Sequence, residues 1–355
     1  MKNIFKNKKV LITGHTGFKG SWLTAWLNIL EANILAVSKD IPTKPAHYDL
    51  IKDQLNEDII ADISNFDDIS KIIIEHKPDF LFHLAAQPIV LTSYSEPFKT
   101  FQSNTLGTLN ILESLRISNH NCCAVIITSD KCYENIDKKI KYKENDRVGG
   151  KDPYSASKGS AEIIIKSYYE SFFKKNNSNI KIASTRAGNV IGGGDWAQHR
   201  IIPDCIRAWS KDKDAVIRNP ISTRPWQHVL EPLSGYLTLA TQLQNNEKIN
   251  GEAFNFGPSD NNEYSVKDLV DELSKQWPNS TWIDTSKNNQ DLYEASLLSL
   301  NCEKALKLLE WKSILNFPET AKWTGEWYYA YYNHGKQHAY KLTIQQIEKY
   351  TELFN

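Results

Sequence analysis

Tyr154 and Lys158 stand four residues apart in the run Asp-Pro-Tyr-Ser-Ala-Ser-Lys. On a helix that spacing puts a phenol and an ammonium on one face, about a turn apart. A nearby cation favours phenolate over phenol, which predicts a base working below the ordinary tyrosine pKa of about 10. Taken alone, the two residues read as an exposed couple at a helix start. Upstream, Thr128-Ser129-Asp130-Lys131 follows an apolar run. Taken alone, that run reads as a solvated loop; together the two segments compose a site. Ser129 is placed to hydrogen-bond a substrate hydroxyl that Tyr154 deprotonates. Asp130 and Lys131 add an acid/base pair that plain alcohol oxidation does not need, so a further proton transfer is expected.

Hydride chemistry needs a dinucleotide, and the N-terminus offers a place for one. Val10-Leu-Ile-Thr-Gly-His-Thr-Gly-Phe-Lys-Gly20 sets Gly14, Gly17 and Gly20 directly after a strand pattern and at a helix start. Glycine lets the backbone turn tightly and approach a pyrophosphate, while the helix N–H groups face the anion. An acidic residue about twenty positions on belongs to this pattern, and Asp40 lies at that offset. A carboxylate there suits ribose hydroxyls and disfavours a 2′-phosphate, so NAD is expected rather than NADP; Lys39 beside it argues the other way. Asp62 and Ile63 are candidates to bracket the adenine. Leu84, Ala85 and Ala86 keep the backbone slim beside the cofactor. His15, inside the turn, reads as structural.

The elements that must position these residues alternate in a regular rhythm. Candidate strands are Lys9–Thr13, Asn33–Ser38, Asp58–Ala61, Phe80–Leu84, Ala124–Thr128 and Lys181–Arg186. Between them lie helical patterns at Gly17–Leu30, Phe66–His76, Pro97–Ser118 and Tyr154–Lys174. Such alternation implies βαβ units and a parallel sheet. The expected class is α/β, a doubly wound, Rossmann-like parallel sheet with a smaller, mostly C-terminal substrate-binding lobe. After about Asn189 the rhythm breaks into Gly- and Pro-marked loops. The boundary is therefore set between a cofactor domain, 1–188, and a substrate lobe, 189–355, with part of 225–260 rejoining the first.

Bulk composition narrows the function classes. Lys plus Arg and Asp plus Glu both total 42 in 355 residues, so no global field points to nucleic acid or an anionic membrane. No stretch suits a signal peptide or a membrane span. The five cysteines lack metal-ligand spacing and read as reduced cytosolic thiols, so no metal is expected. Trp323, Trp327, Tyr328, Tyr329, Tyr331 and Tyr332 cluster near the C-terminus and are expected to pack a core or an interface.

Several longer motifs carry a resemblance to the extended short-chain dehydrogenase/reductases. They are Gly-His-Thr-Gly-Phe-Lys-Gly-Ser-Trp (14–22), His-Leu-Ala-Ala-Gln-Pro (83–88), Thr-Ser-Asp-Lys-Cys-Tyr-Glu-Asn (128–135) and Asp-Pro-Tyr-Ser-Ala-Ser-Lys-Gly (152–159). Two narrower ones are Arg-Ala-Gly-Asn-Val-Ile-Gly-Gly-Gly-Asp-Trp (186–196) and Arg-Pro-Trp-Gln-His-Val-Leu-Glu-Pro-Leu-Ser-Gly-Tyr-Leu (224–237). Within that superfamily the chain is most similar to the sugar-nucleotide 4,6-dehydratases, and Lys131 resembles the branch acting on CDP-glucose. Leu91 and Thr92 depart from it, because that branch often carries arginine there. The resemblance implies conversion of CDP-D-glucose to CDP-4-dehydro-6-deoxy-D-glucose and water, with NAD regenerated every turnover. It adds Thr16 and Phe18 to the cofactor residues and Gln87 to the substrate residues. Asp130 becomes the general acid at the C6 oxygen, and Lys131 stands where related enzymes carry a glutamate base. Asn189, Arg200 and Arg224 are candidates for the substrate diphosphate, since an arginine fork donates two bonds at once. Arg207 and Arg218 read as surface ion-pair residues. Trp226 and His228 either wall the nucleotide pocket or pack. The rival readings are a 4-epimerase or reductase on the same scaffold, and a non-catalytic NAD-binding protein. A homodimer through Pro97–Ser118 and Tyr154–Lys174 is the expected assembly.

Overall fold

Seven short runs form one parallel sheet: β1 (Lys9–Thr13), β2 (Asn33–Ser38), β3 (Glu57–Ile60), β4 (Phe80–His83), β5 (Cys122–Ile127), β6 (Ile180–Arg186) and β7 (Ala253–Asn255). Their order is β7-β6-β5-β4-β1-β2-β3, with every neighbouring pair parallel. The computed structural model describes residues 2–354 apart from 137, 139, 176–177, 260–262 and 287–297. Val10 lies opposite both Ile34 and Phe80, so β1 is flanked by β2 and β4 and the strand order reverses there. In open α/β sheets that reversal leaves a ligand crevice at the carboxyl ends of the strands.

The main helices are α1 (Phe18–Ile29), α2 (Phe66–His76), α3 (Gly107–Ser118), α4 (Pro153–Tyr168), α5 (Ile201–Trp209), α6 (Leu230–Leu243), α7 (Phe317–His334) and α8 (Lys336–Phe354). Successive strand residues point to opposite faces, and each face has its own core. On one, Leu11, Leu81, Ala124 and Ile126 pack with Ile69, Ile73, Leu112 and Ile165 of α2, α3 and α4. On the other, Val10, Ile12, Phe82 and Val125 pack with Trp22, Trp26, Leu233 and Leu237 of α1 and α6. A strand covered on both faces needs no polar alternation, and β5 is buried along its whole length.

Several expectations shift by a residue or more. The helical run at 97–118 is three pieces: a helix at Pro97–Phe101, a wider π turn at Gln102–Leu106, then α3. The run from Tyr154 likewise leaves α4 for a π turn at Tyr169–Phe173. The seventh strand, β7, adds to the six expected and pairs with β6.

The C-terminal helices form a hairpin that covers the α1 face of the sheet. Tyr350 of α8 meets Trp26 of α1 edge-on at 5.7 Å. Trp327 and Tyr328 are fully buried, as the aromatic density suggested, and Trp327 donates to Thr343 Oγ1 at 2.9 Å. All five cysteines are free thiols. Among the described residues no helix is long and apolar enough to cross a membrane, and no cluster of side chains could hold a metal ion.

Candidate active site

Sharp capping sets where the tyrosine falls. The Asp152 carboxylate accepts from the Ser155 N–H at 2.9 Å, and Pro153 fills the first position of α4. Tyr154 therefore sits in the first turn, and Ser157 Oγ donates to its carbonyl at 2.7 Å. Asn104 anchors the turn from outside, donating to Ser157 Oγ at 2.9 Å.

The segment after β5 meets it. Ser129 hydrogen-bonds the Tyr154 phenol and donates to Asp130 Oδ1 at 2.8 Å. Tyr154, Ser129, Asp130 and Lys158 are all buried, while Lys131 is half-buried. Asp130 fits because residue 188 is glycine: a Cβ there would stand 2.2 Å from the Asp130 carboxyl carbon. Behind this segment lies a buried ion pair, Glu162 with Arg186 at 2.7 Å, and Thr128 and Ser184 also donate to Glu162. Arg186 covers the Tyr133 ring at 4.8 Å. Neither partner stood out in the sequence.

The electrostatics differ from the expected picture. Burial pushes the Tyr154 phenol up to about 12, the Ser129 hydrogen bond opposes that, Asp130 adds to it, and the Arg200 charge opposes it. The Lys158 ammonium donates to the Ile127 carbonyl at 3.4 Å, and burial lowers it to about 8. Arg200, a cation that favours the phenolate, pairs with Asp195 at 2.6 Å. Helical spacing aligned Tyr154 with Lys158 but could not foresee a residue from a distant loop.

The glycine turn is built for close approach. Gly14 has φ +80°, and a Cβ on it would lie 2.6 Å from the Ala85 nitrogen. A Cβ on Gly20 would lie 2.1 Å from the Gly14 carbonyl oxygen. This slim backbone at the strand reversal is the cradle a dinucleotide pyrophosphate requires. Thr16 Oγ1 donates to the Asp40 carbonyl at 2.7 Å, tying the turn to the end of β2 and leaving the Asp40 carboxylate exposed. Asp62 accepts from the Ser64 N–H and hydroxyl, both at 2.9 Å. Ile63 is buried, and its carbonyl accepts from Asn110. Leu84 and Ala85 bond back to Thr13, beside the turn, and Ala86 follows them. His15 sits between Ser38 at 3.0 Å and Asp58 at 3.1 Å, a structural role.

Not every candidate turns toward the crevice. The Gln87 amide is engaged with the Ile89 backbone and with Thr100 of the helix at Pro97–Phe101. Phe18 packs on the core. Trp226 packs with its indole N–H on the Tyr264 carbonyl at 3.3 Å, and His228 is fully buried between Trp22 and Trp323. Asn189 adopts φ +53° and its carbonyl accepts from Gln227. Arg224 donates to the Thr223 carbonyl at 2.7 Å. Arg207 pairs with Asp204 on the surface of α5. Sequence reasoning missed Lys19: its Nζ lies 3.4 Å from Tyr236 Oη and feels the charges of Lys158, Arg200 and Asp130.

Residues 11–324 match the family model for GDP-mannose 4,6 dehydratase. CDP-glucose 4,6-dehydratase of Salmonella typhimurium is 42% identical over 335 residues, 92% of this chain and 93% of the relative. Among solved structures, epimerase Mth375 of Methanothermobacter thermautotrophicus superposes with a TM-score of 0.78 at 22% identity, covering 98% of this chain and 96% of that one. dTDP-glucose 4,6-dehydratase of Bacillus anthracis, solved in complex with NAD, superposes with a TM-score of 0.73 at 21% identity, covering 93% and 99%. With a parallel sheet reversing at a glycine turn and a Tyr154/Lys158 helix beside it, the chain belongs to the GDP-mannose 4,6 dehydratase family of extended short-chain dehydrogenase/reductases.

Proposed function

We propose that the protein is an NAD-dependent CDP-glucose 4,6-dehydratase, converting CDP-D-glucose to CDP-4-dehydro-6-deoxy-D-glucose and water. The observation that carries this reading is the Ser129–Asp130 couple, hydrogen-bonded beside Tyr154 and given room by Gly188. An enzyme that only moved hydride at C4 would have no use for that carboxyl group. The 42% identity to a dehydratase of that specificity supports the same substrate.

Gly14, Gly17 and Gly20 would hold the pyrophosphate of NAD, Asp40 its adenosine ribose, and Asp62 with Ile63 its adenine. NAD, when bound, supplies a hydride acceptor that is restored within each turnover. Tyr154 takes the proton of the sugar 4-hydroxyl, and Ser129 orients that hydroxyl. The resulting 4-ketone acidifies C5–H, and Lys131 is assigned to take that proton and to give it back to C5 after the C6 oxygen has left. Asp130 gives its proton to the departing C6 oxygen, which leaves as water. Arg200 is assigned to the substrate diphosphate. The working unit is a two-fold homodimer.

The test is incubation of the purified protein with CDP-glucose, followed by mass spectrometry and carbonyl trapping. A 4-keto product lighter by one water is expected, with UDP-glucose and dTDP-glucose turned over far more slowly. A product isomer of unchanged mass would instead establish a 4-epimerase, and no product would leave a binding protein.

A further inference from the structure

Lys19 projects from the first turn of α1, inside the glycine turn, and is only half-buried by its neighbours. Its hydrogen bond is to a neutral group, Tyr236 Oη on α6 at 3.4 Å, with the Tyr236 ring centroid 5.9 Å away. Among the described residues, no carboxylate lies within ion-pair range of its ammonium. The charges that reach it come from three other elements: Lys158 of α4, Arg200 before α5, and Asp130 after β5. Two of the three are cations. The Arg200 guanidinium already has Asp195 as a partner, and Asp130 is engaged by Ser129.

A cation held among cations in a protein crevice is stabilised by an anion that arrives with the ligand. The kind of anion follows from the backbone that carries Lys19. Gly14 and Gly20 exclude any Cβ from the turn, which is the shape a phosphate group needs to approach main chain. We propose that Lys19 is a diphosphate-binding residue, its ammonium pairing with the diphosphate of a bound nucleotide between the glycine turn and Arg200. The proposal rests on the nucleotide chemistry proposed above. Two sources share that chemistry, the cofactor pyrophosphate and the sugar-nucleotide diphosphate.

Burial, Lys158 and Arg200 lower Lys19 to about 8, and Asp130 opposes them. Pairing therefore weakens as pH rises through about 8, where the free ammonium loses its proton. The groups facing it are Lys158, Arg200, Asp130 and Tyr236, so this loss adds to that of Lys158, which also lies at about 8.

Lys19→Met keeps the length of the side chain and removes its charge. Calorimetric titration of wild type and variant with CDP, CMP and NAD separates the two sources. Loss of a charged hydrogen bond predicts affinity about tenfold weaker or more for a diphosphate ligand. Weakened CDP with unchanged CMP assigns Lys19 to the sugar nucleotide; weakened NAD alone assigns it to the cofactor. The variant should also flatten the fall in affinity above pH 8, and Lys19→Arg should restore most of the binding. Tyr236→Phe removes the neutral partner and should hold affinity within about threefold, which controls for packing. CDP and NAD affinities both within twofold of wild type in Lys19→Met, with the pH dependence intact, would overturn the proposal. If wild type binds these ligands yet yields no keto sugar, the dehydratase reading fails while Lys19 is still judged by the titrations.

Discussion

Burial moves the two reactive protons of the site in opposite directions, Tyr154 up to about 12 and Lys158 down to about 8. Base catalysis by Tyr154 therefore depends on what lowers its phenol, and Ser129 and Arg200 do so here. Tyr154→Phe keeps the ring and deletes the oxygen, so turnover should fall about 10²–10⁴-fold while CDP still binds. Arg200→Met removes a cation that favours phenolate. Tyr154 must be deprotonated to act, so its acidic limb in the kcat/KM profile should move to higher pH. An unmoved limb would show that Arg200 does not tune the phenol. Gly188→Ala tests Asp130, because the new Cβ would stand 2.2 Å from the carboxyl carbon and displace it. Oxidation at C4 should survive and elimination should fail, so reduced cofactor should accumulate on adding CDP-glucose. Tyr154, Lys158 and Asp130 were legible because each sits in a local motif. Lys19, Gly188 and the reach of Arg200 were not, since their partners lie far away in the chain.

At the scale of elements, local pattern and tertiary demand part company in a few places. Most strands of the first half announced themselves as apolar runs; two of the six candidates match end to end, and the other four needed an end moved by one or two residues. β7 is only Ala-Phe-Asn, too short to carry a period, and becomes a strand because β6 offers it an edge. The aromatic cluster of α7 read as packing a core or an interface, but nothing in its sequence said which surface it covers. Glu231 on α6 fixes that. Its buried carboxyl accepts from the Ile314 and Leu315 N–H groups and from Tyr350 Oη at 2.6 Å. Glu231→Ala strands three buried donors and should cost about 3 kcal/mol or more in urea unfolding. Burial raises Glu231 from 4.5 to about 7, so the native state binds its proton more tightly than the unfolded chain. This contribution is fully present below pH 4.5 and is lost as pH rises through about 7. Glu231→Gln should flatten stability across that window; a curve parallel to wild type would mean the carboxyl stays ionised.

For the whole molecule the open question is the surface beside α4. The helical pieces at 90–106 run along α4 and leave large apolar side chains in solvent: Phe98 is 77% exposed, Tyr94 61%, Ile163 60% and Leu106 48%. Apolar patches of this kind mark contact surfaces, and a two-fold dimer is the commonest way for one chain to cover its own. Within the expected contact segments Pro97–Ser118 and Tyr154–Lys174, not every apolar residue is free to serve such a surface. Leu112, Ile111 and Leu115 are fully buried against the sheet, since α3 spends its apolar face on the core. A charge at Leu112 would therefore unfold the chain and say nothing of assembly. The informative variant is Phe98→Glu with Ile163→Glu, which places charges on the exposed patch and leaves both cores intact. Light scattering at micromolar concentration should give a dimer for wild type and a monomer for the double variant, with little change in thermal midpoint of the dissociated chain. A wild-type monomer would refute the homodimer, and a double variant that stays dimeric would move the interface elsewhere.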